Sequence, residues 1–271
     1  MASIAGKVYA LTGAKSGLGL VVASTLARLN ARAISISDLN RDHFQSVRST
    51  LSSINPKVQL LTSQVDVTRS AEVNGWIEET VDKFGDLDGA VNCAGTINNL
   101  STETKPHFLN ETDESWTRVL NTNLTGTLYS MRAEVKAMLT LPKKPRSIVN
   151  ISSAASLFHD PTIMSYCVTK AGIAGLTTTI AKDLAGTDIR VNAVSPTKRK
   201  TQEQKCITMR AVKTGMALQW YKNEEEALVD MARRGITLLE PDRVANAIVW
   251  LLGDESGDVS GVNIPIGASD P

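Results

Sequence analysis

What constrains this chain most is a regular alternation of short β-rich runs with longer helical stretches. Strand-like runs lie at Lys7–Leu11, Ala33–Ser37, Val58–Val65, Leu87–Asn92, Ser147–Ile151 and Ile189–Val194. Helical patterns fall between them, near Gly17–Leu29, Arg41–Leu51, Ser70–Phe84, Trp116–Leu139 and Ser165–Leu184. Such repeats favour a parallel sheet, because each helix carries the chain back across one face to start the next strand in the same direction. The expected architecture is α/β: a single-domain, doubly wound parallel sheet over residues 1–271, with helices on both faces. No low-complexity linker and no repeat of about 20–50 residues divides it.

Two stretches break the rhythm. Thr96–Ser115 is polar and long for a loop in a compact domain, a type that is usually functional or disordered. Pro196–Gly235 leaves the pattern, shows a helical periodicity near Met209–Arg233, and returns at Pro241–Leu252. An excursion beside the last strands is where a doubly wound fold can place a substrate lid, so a helical lid is expected near residues 197–235. Met209, Val212, Met216, Leu218, Trp220 and Tyr221 would give it adaptable apolar contacts suited to a bulky substrate.

Composition narrows the partners. Of 271 residues, 42% are apolar and 21% charged, enough to bury a sizeable core. Lysine and arginine number 29 against 28 aspartates and glutamates, a net charge of +1, and no segment concentrates one sign. A nucleic-acid binder normally shows a basic face and a membrane-surface protein a polybasic stretch, so neither partner is expected. No apolar run approaches the roughly 18–20 residues of a membrane span, and Met1–Gly13 is too short and mixed for a secretory signal. Cys93, Cys167 and Cys206 lack C-x-x-C spacing, and His43, His107 and His159 stand far apart, so neither a disulfide framework nor a metal site is expected. Asn110-Glu-Thr, Asn123-Leu-Thr and Asn150-Ile-Ser fit the N-glycosylation pattern, read here as coincidences in a reducing, cytoplasmic protein.

The chemistry begins at Thr12-Gly-Ala-Lys-Ser-Gly-Leu-Gly19, which follows the first strand and opens the first helix. Gly13, Gly17 and Gly19 let the backbone turn tightly and approach a pyrophosphate. The amides around Lys15, Ser16 and Leu18, at the positive end of the helix dipole, then receive the charge. A glycine-rich turn with no ligand is the alternative. Asp38 closes the second strand about 20 residues further on, where a carboxylate accepts ribose hydroxyls and repels a 2′-phosphate. That favours NAD over NADP, with Lys15 and Arg41 as nearby cations that would soften the preference.

Tyr166-Cys-Val-Thr-Lys170 places a phenol and an ammonium one helical turn apart on one face. Ser153 lies thirteen residues upstream at the end of a strand, where an open α/β sheet places its ligands. A phenol near its ordinary pKa of about 10 is a poor base at neutral pH, and a neighbouring ammonium is expected to lower that value toward the working range. A serine hydroxyl beside it can stabilise a developing alkoxide.

Taken in chain order, T-G-x-x-x-G-x-G at Thr12–Gly19, Asn92-Cys-Ala-Gly95, Asn123 in N-L-T-G, Ser153 and Y-x-x-x-K resemble the short-chain dehydrogenase/reductase family over Lys7–Pro196. The resemblance implies a Rossmann fold. It implies Tyr166 as general acid/base, Lys170 on the nicotinamide ribose, Ser153 orienting the substrate oxygen and Asn123 holding a proton-relay water. It also implies Asp66 and Val67 at the adenine, Asn92, Ala94 and Gly95 behind the cofactor, and Pro196 followed by Thr201 near the carboxamide. The ending Gly261-Val-Asn-Ile-Pro-Ile-Gly-Ala resembles fungal members of specialised metabolism. Departures are visible too. One extra residue precedes Asp38, which leaves Ser37 as a second candidate for the ribose position. Thr197 replaces the usual glycine of S-P-G, and the Thr96–Ser115 loop is longer than typical.

The expected activity is an NAD-dependent interconversion of a secondary alcohol and a ketone by hydride transfer, on an apolar terpenoid- or polyketide-like metabolite. Two rivals stand: non-redox chemistry of the epimerase or cyclase type at the same cofactor site, and a dinucleotide-sensing protein without turnover. His159 has two readings, substrate contact or solvated loop; Cys167 reads as small buried filler; Lys198-Arg-Lys200 reads as a solvated run or an anion site. Apolar residues on more than one face of the helices near Trp116–Leu139 and Ser165–Leu184 point to a homo-oligomer, a dimer or a tetramer.

Overall fold

The computed structural model of the chain describes residues 3–98, 105–196, 225 and 239–267. The lid expected near residues 197–235, with Thr201 and Lys198–Lys200, lies outside the described residues, as does Cys206.

Seven parallel strands form one sheet in the order β3-β2-β1-β4-β5-β6-β7. They are β1 (Val8–Thr12), β2 (Ala33–Asp38), β3 (Gln59–Gln64), β4 (Gly89–Asn92), β5 (Arg146–Ile151), β6 (Ile189–Pro196) and β7 (Asn263–Ile266). The helices are α1 (Gly17–Arg28), α2 (Phe44–Ile54), α3 (Ser70–Phe84), α4 (Asp113–Leu120), α5 (Gly126–Thr140), α6 (Met164–Asp183) and α7 (Pro241–Leu252). Side chains of successive strand residues point to opposite faces. Tyr9 and Leu11 therefore pack with α1, α2 and α7 on one side, while Val8 and Ala10 pack with α3 and α5 on the other. Burial on both faces explains why the central strands are apolar without alternation. Among the described residues, no helix is long and apolar enough to cross a membrane.

Two elements differ from the sequence reading. β7 was not among the strand-like runs: it has four residues, includes Pro265, and is nowhere fully buried. Among the described residues it pairs with β6 alone, from Ala193↔Asn263 to Pro196↔Ile266, and an edge strand tolerates proline and polar residues. The single helix expected over Trp116–Leu139 is two helices. α4 starts earlier, at Asp113, where Thr112 caps it by accepting the Ser115 N–H. A π-helical turn at Asn121–Thr125 then separates it from α5.

The chain winds outward from β1 to β3 and returns to form β4 on the other side of β1. This reversal opens a crevice at the carboxyl ends of β1 and β4. The two ends nearly touch there. Thr12 Oγ1 accepts the N–H groups of Cys93 and Ala94 at 3.1 and 3.2 Å. Gly13 has φ +62°, and a Cβ on it would lie 2.6 Å from Ala94 Cα. Gly13→Ala combines a left-handed backbone penalty with a backbone clash and is expected to lose about 2–3 kcal/mol of stability. Gly175→Ala, in α6 with nothing within 4 Å of the added Cβ, is expected to gain up to about 1 kcal/mol from helix propensity. Urea unfolding of the two variants checks the opposite signs.

Candidate active site

Ser153 follows β5, and a short turn leads to α6, which carries Tyr166 and Lys170 back to the same crevice. The Ser153 hydroxyl accepts the Ala155 N–H at 3.1 Å and directs its own proton toward the Tyr166 phenol. Lys170 Nζ lies 5.5 Å from the Tyr166 ring centroid and donates to the Ile151 carbonyl at 2.7 Å. Lys170 is buried and Tyr166 partly so, and burial governs the protonation of both. Burial pushes the Tyr166 phenol up to about 12, with the Ser153 hydrogen bond pulling the other way. Burial pulls the Lys170 ammonium down to about 8, opposed by the nearby Cys93. The expectation that Lys170 would bring the phenol toward neutrality is therefore not met: desolvation is the largest cause and raises it, and the group that lowers it is Ser153.

Asn123 sits in the π-helical turn and is fully buried. Its Oδ1 accepts the Thr96 N–H at 2.7 Å, while its Nδ2 donates to the Thr96 carbonyl at 2.8 Å and to Thr169 Oγ1 at 3.1 Å. The amide thus clamps the loop after β4 onto α6 and has little capacity left for a water. Its backbone carbonyl, which takes the Thr127 hydroxyl at 2.6 Å, keeps a second lone pair. Thr96, Thr127 and Thr169 were not singled out in the sequence, because a threonine in a helix or loop carries no pattern of its own.

The residues expected around a dinucleotide gather at the crevice, with some redistribution of roles. Ser16 precedes α1 in an extended conformation and makes no side-chain cap, so the first-turn amides of that helix lack a protein side chain. Gly17 has φ +56°, Leu18 is buried against the core, and a Cβ on Gly19 would meet the Gly13 carbonyl at 2.6 Å. Asp38 ends β2 with its carboxylate on the glycine turn, accepting the Lys15 N–H at 3.3 Å and facing Lys15 Nζ at 3.7 Å. Ser37 is buried and its hydroxyl finds no partner. Of the two candidates for the ribose position, only Asp38 has its side chain partly exposed. Asp66 forms a tight turn by accepting the N–H and hydroxyl of Thr68. Val67 is mostly buried against Gly126, where a Cβ would lie 2.8 Å from its methyl group.

Beyond β4, a Cβ on Gly95 would meet Asn123 Oδ1 at 3.3 Å and Lys170 Nζ at 3.8 Å, so glycine keeps open the space between those two groups. The Asn92 side chain turns into the interior toward Glu134 and Asn150. Any contact from Asn92 to a ligand must therefore be made by its backbone. Pro196 ends β6. His159 is exposed, and Cys167 packs with Ala155 and Ile163 as filler. A tight glycine turn, uncapped helix amides, a strand-end carboxylate and an open floor beside an ammonium fit a nicotinamide dinucleotide.

The family described as Enoyl-(Acyl carrier protein) reductase matches residues 13–268. A chanoclavine-I dehydrogenase of Aspergillus fumigatus is 39% identical over 271 residues, covering 100% of both chains. A carveol dehydrogenase of Mycobacterium avium in complex with NAD superposes with TM-score 0.80 at 25% identity, over 98% of this chain and 97% of that one. An NAD+-bound xylitol dehydrogenase superposes with TM-score 0.79 at 27% identity, over 98% and 99%. On sequence, fold and the order of its motifs, the chain belongs to the short-chain dehydrogenase/reductase family, oxidoreductases that act on CH–OH groups.

Proposed function

We propose that the protein is an NAD-dependent dehydrogenase that interconverts an alcohol and its ketone on an apolar fungal metabolite, of the kind for which the Aspergillus relative is named. The observation that carries this is the convergence of Ser153, Tyr166 and Lys170 on one crevice beside the open floor at Gly95. A sensor would need only the glycine turn and Asp38, so the intact set favours turnover. Free thiols at Cys93 and Cys167 support a reducing, cytoplasmic setting.

A bound nicotinamide dinucleotide supplies the hydride donor or acceptor. The glycine turn Gly13–Gly19 and the start of α1 would hold its phosphates, Asp38 its adenosine ribose, Asp66 and Val67 its adenine, and Lys170 its nicotinamide ribose. The backbone of Asn92, Ala94 and Gly95 would form the floor, with Pro196 and Thr201 at the carboxamide. Tyr166 takes the hydroxyl proton of an alcohol, or returns it to a carbonyl oxygen. Ser153 turns its proton to that oxygen as negative charge develops. Lys170 stabilises the phenolate electrostatically from a site where few other charges compete. Asn123 would hold a relay water through its backbone carbonyl.

Three outcomes follow. Tyr166→Phe is expected to lower kcat by about 10²–10⁴-fold while leaving NADH affinity within about 2-fold. In the wild type the phenol lies high, so alcohol oxidation is expected to rise with pH from 7 upward as phenolate forms, while carbonyl reduction does not rise. Stopped-flow NADH absorbance across a panel of secondary alcohols and ketones measures both.

Cofactor choice rests on Asp38. NAD is expected to be preferred over NADP by about 10²-fold, worth about 3 kcal/mol. Asp38→Ala is expected to narrow the ratio mainly by improving NADP. Equal use of both cofactors by the wild type refutes the assignment.

Assembly is the third. Leu128, Leu139 and Val168 are exposed on α5 and α6, beside the half-buried Leu124, Leu176 and Ile180. These faces would pair about a twofold axis into a dimer or tetramer. Light scattering is expected to show an oligomer at micromolar concentration; monomer alone refutes this.

A further inference from the structure

Glu134 is the one carboxylate among the described residues with zero exposure, and nothing in the reaction above uses it. It lies on the inward face of α5, and its Oε2 accepts one N–H of Asn92 at 3.1 Å. Asn92 gives its other N–H to Asn150 Oδ1 at 3.0 Å. Asn150 in turn donates to Thr177 Oγ1 at 2.9 Å and to the Met131 sulfur at 3.1 Å. Two buried atoms remain without partners in this cluster, Glu134 Oε1 and Asn92 Oδ1.

Those two atoms belong to side chains already bonded to each other, and both are acceptors as long as the carboxyl is ionised. A proton on Glu134 gives this pair of side chains the donor it otherwise lacks. The charge problem points the same way, since a buried carboxylate needs a cation or several donors. Among the described residues, elements packed around this cluster offer neither: α3 turns Val73, Trp76, Ile77 and Thr80 inward, the π-helical turn brings Asn121–Thr125, β4 brings Asn92, β5 brings Asn150 and α6 brings Thr177. None of these titrates.

We propose that Glu134 works as a neutral carboxylic acid, sharing its proton with the Asn92 amide, and that this acid–amide pair positions the Asn92–Gly95 turn forming the floor of the cofactor crevice. Glu134 is a positioning residue, and its role rests on the reading of that crevice as a dinucleotide site. The path is short. Asn92 leads into Cys93 and Ala94, whose N–H groups both bind the Thr12 hydroxyl, and Ala94 is the residue against which Gly13 packs. On the other side, Asn150 precedes Ile151, whose carbonyl anchors Lys170.

Burial pushes the Glu134 carboxyl up to about 8, with the Asn92 hydrogen bond opposing. The unfolded chain releases this proton near the ordinary glutamate value. Between that value and about 8 the folded state holds a proton that the unfolded state has lost, so stability falls as pH rises through this window. Above about 8 the folded carboxyl also ionises, and the pair that holds the turn is lost.

The test compares wild type, Glu134→Gln and Glu134→Leu from pH 6 to pH 9.5 by NADH fluorescence titration and by thermal unfolding without cofactor. Gln keeps both hydrogen bonds and cannot ionise. It is expected to bind NADH within 2-fold of wild type at pH 7, to weaken less than wild type above pH 8, and to lose the decline in Tm between pH 6 and pH 8. Leu, matched in size but unable to pair, is expected to weaken NADH binding 10-fold or more at every pH. Comparison with Gln cancels the titration of Lys170 and Tyr166, which both proteins share. Identical pH profiles of Tm and NADH affinity in wild type and Gln overturn the proposal, whether or not the Leu variant folds. A Gln variant as weak as Leu at pH 7 also overturns it. A wild type that binds no NADH overturns the cofactor reading and the positioning role together, while the ligand-free Tm profile still reports the proton on Glu134.

Discussion

The close approach of the ends of β1 and β4 governs the arrangement of this molecule. A parallel sheet that reverses its winding must part its loops at the reversal, yet here the turn after β1 lies directly on the turn after β4. The contact exists because Gly13 has no Cβ to collide with Ala94 and because one hydroxyl, that of Thr12, satisfies two amides of the other turn. Buried amides left unpaired would each cost more than the contact returns. The glycine turn, the floor at Gly95 and the start of α1 are held relative to one another through this junction.

Around the junction, burial sets the chemistry. Four groups there are moved from their ordinary values mainly by burial: Tyr166, Glu134 and Cys93 upward, Lys170 downward. In each the neutral form is favoured, as desolvation requires. A partly buried crevice with neutral or weakly charged groups makes each remaining charge and each oriented hydroxyl count for more, since less solvent screens them. The site thus favours its acid/base in the protonated form, with the Ser153 hydroxyl as the group that draws the phenol back down.

Much of this was legible in residue order. Strand and helix alternation gave the sheet and its two covered faces, because period-two burial on both sides leaves uniformly apolar strands. Gly13 and Gly19 were legible because close approach admits no other residue, Gly17 because the turn needs a left-handed backbone there, and Tyr166 with Lys170 because helical spacing fixes which side chains share a face. β7 was not, since an edge strand of four residues with a proline carries almost no hydrophobic signal. Nor was the break between α4 and α5, since one extra residue in a turn leaves the apolar pattern nearly intact.

Local sequence therefore determined the parts whose cause is local: the period of apolar residues, the need for glycine at a tight turn, and the one-turn spacing of a phenol and an ammonium. Tertiary structure alone decided the parts that depend on what lies opposite. It turned Asn92 inward to Glu134 and Asn150, closed the Asn123 amide on Thr96 and Thr169, and buried Ser37 while leaving Asp38 at the rim. The physical reason is that hydrogen-bond partners and desolvation are set by neighbours 27 to 58 residues away in the chain, as Glu134 and Asn92 are, 42 residues apart. A polar residue reads the same in sequence whether it meets water, a ligand or another buried side chain, and only packing distinguishes the three.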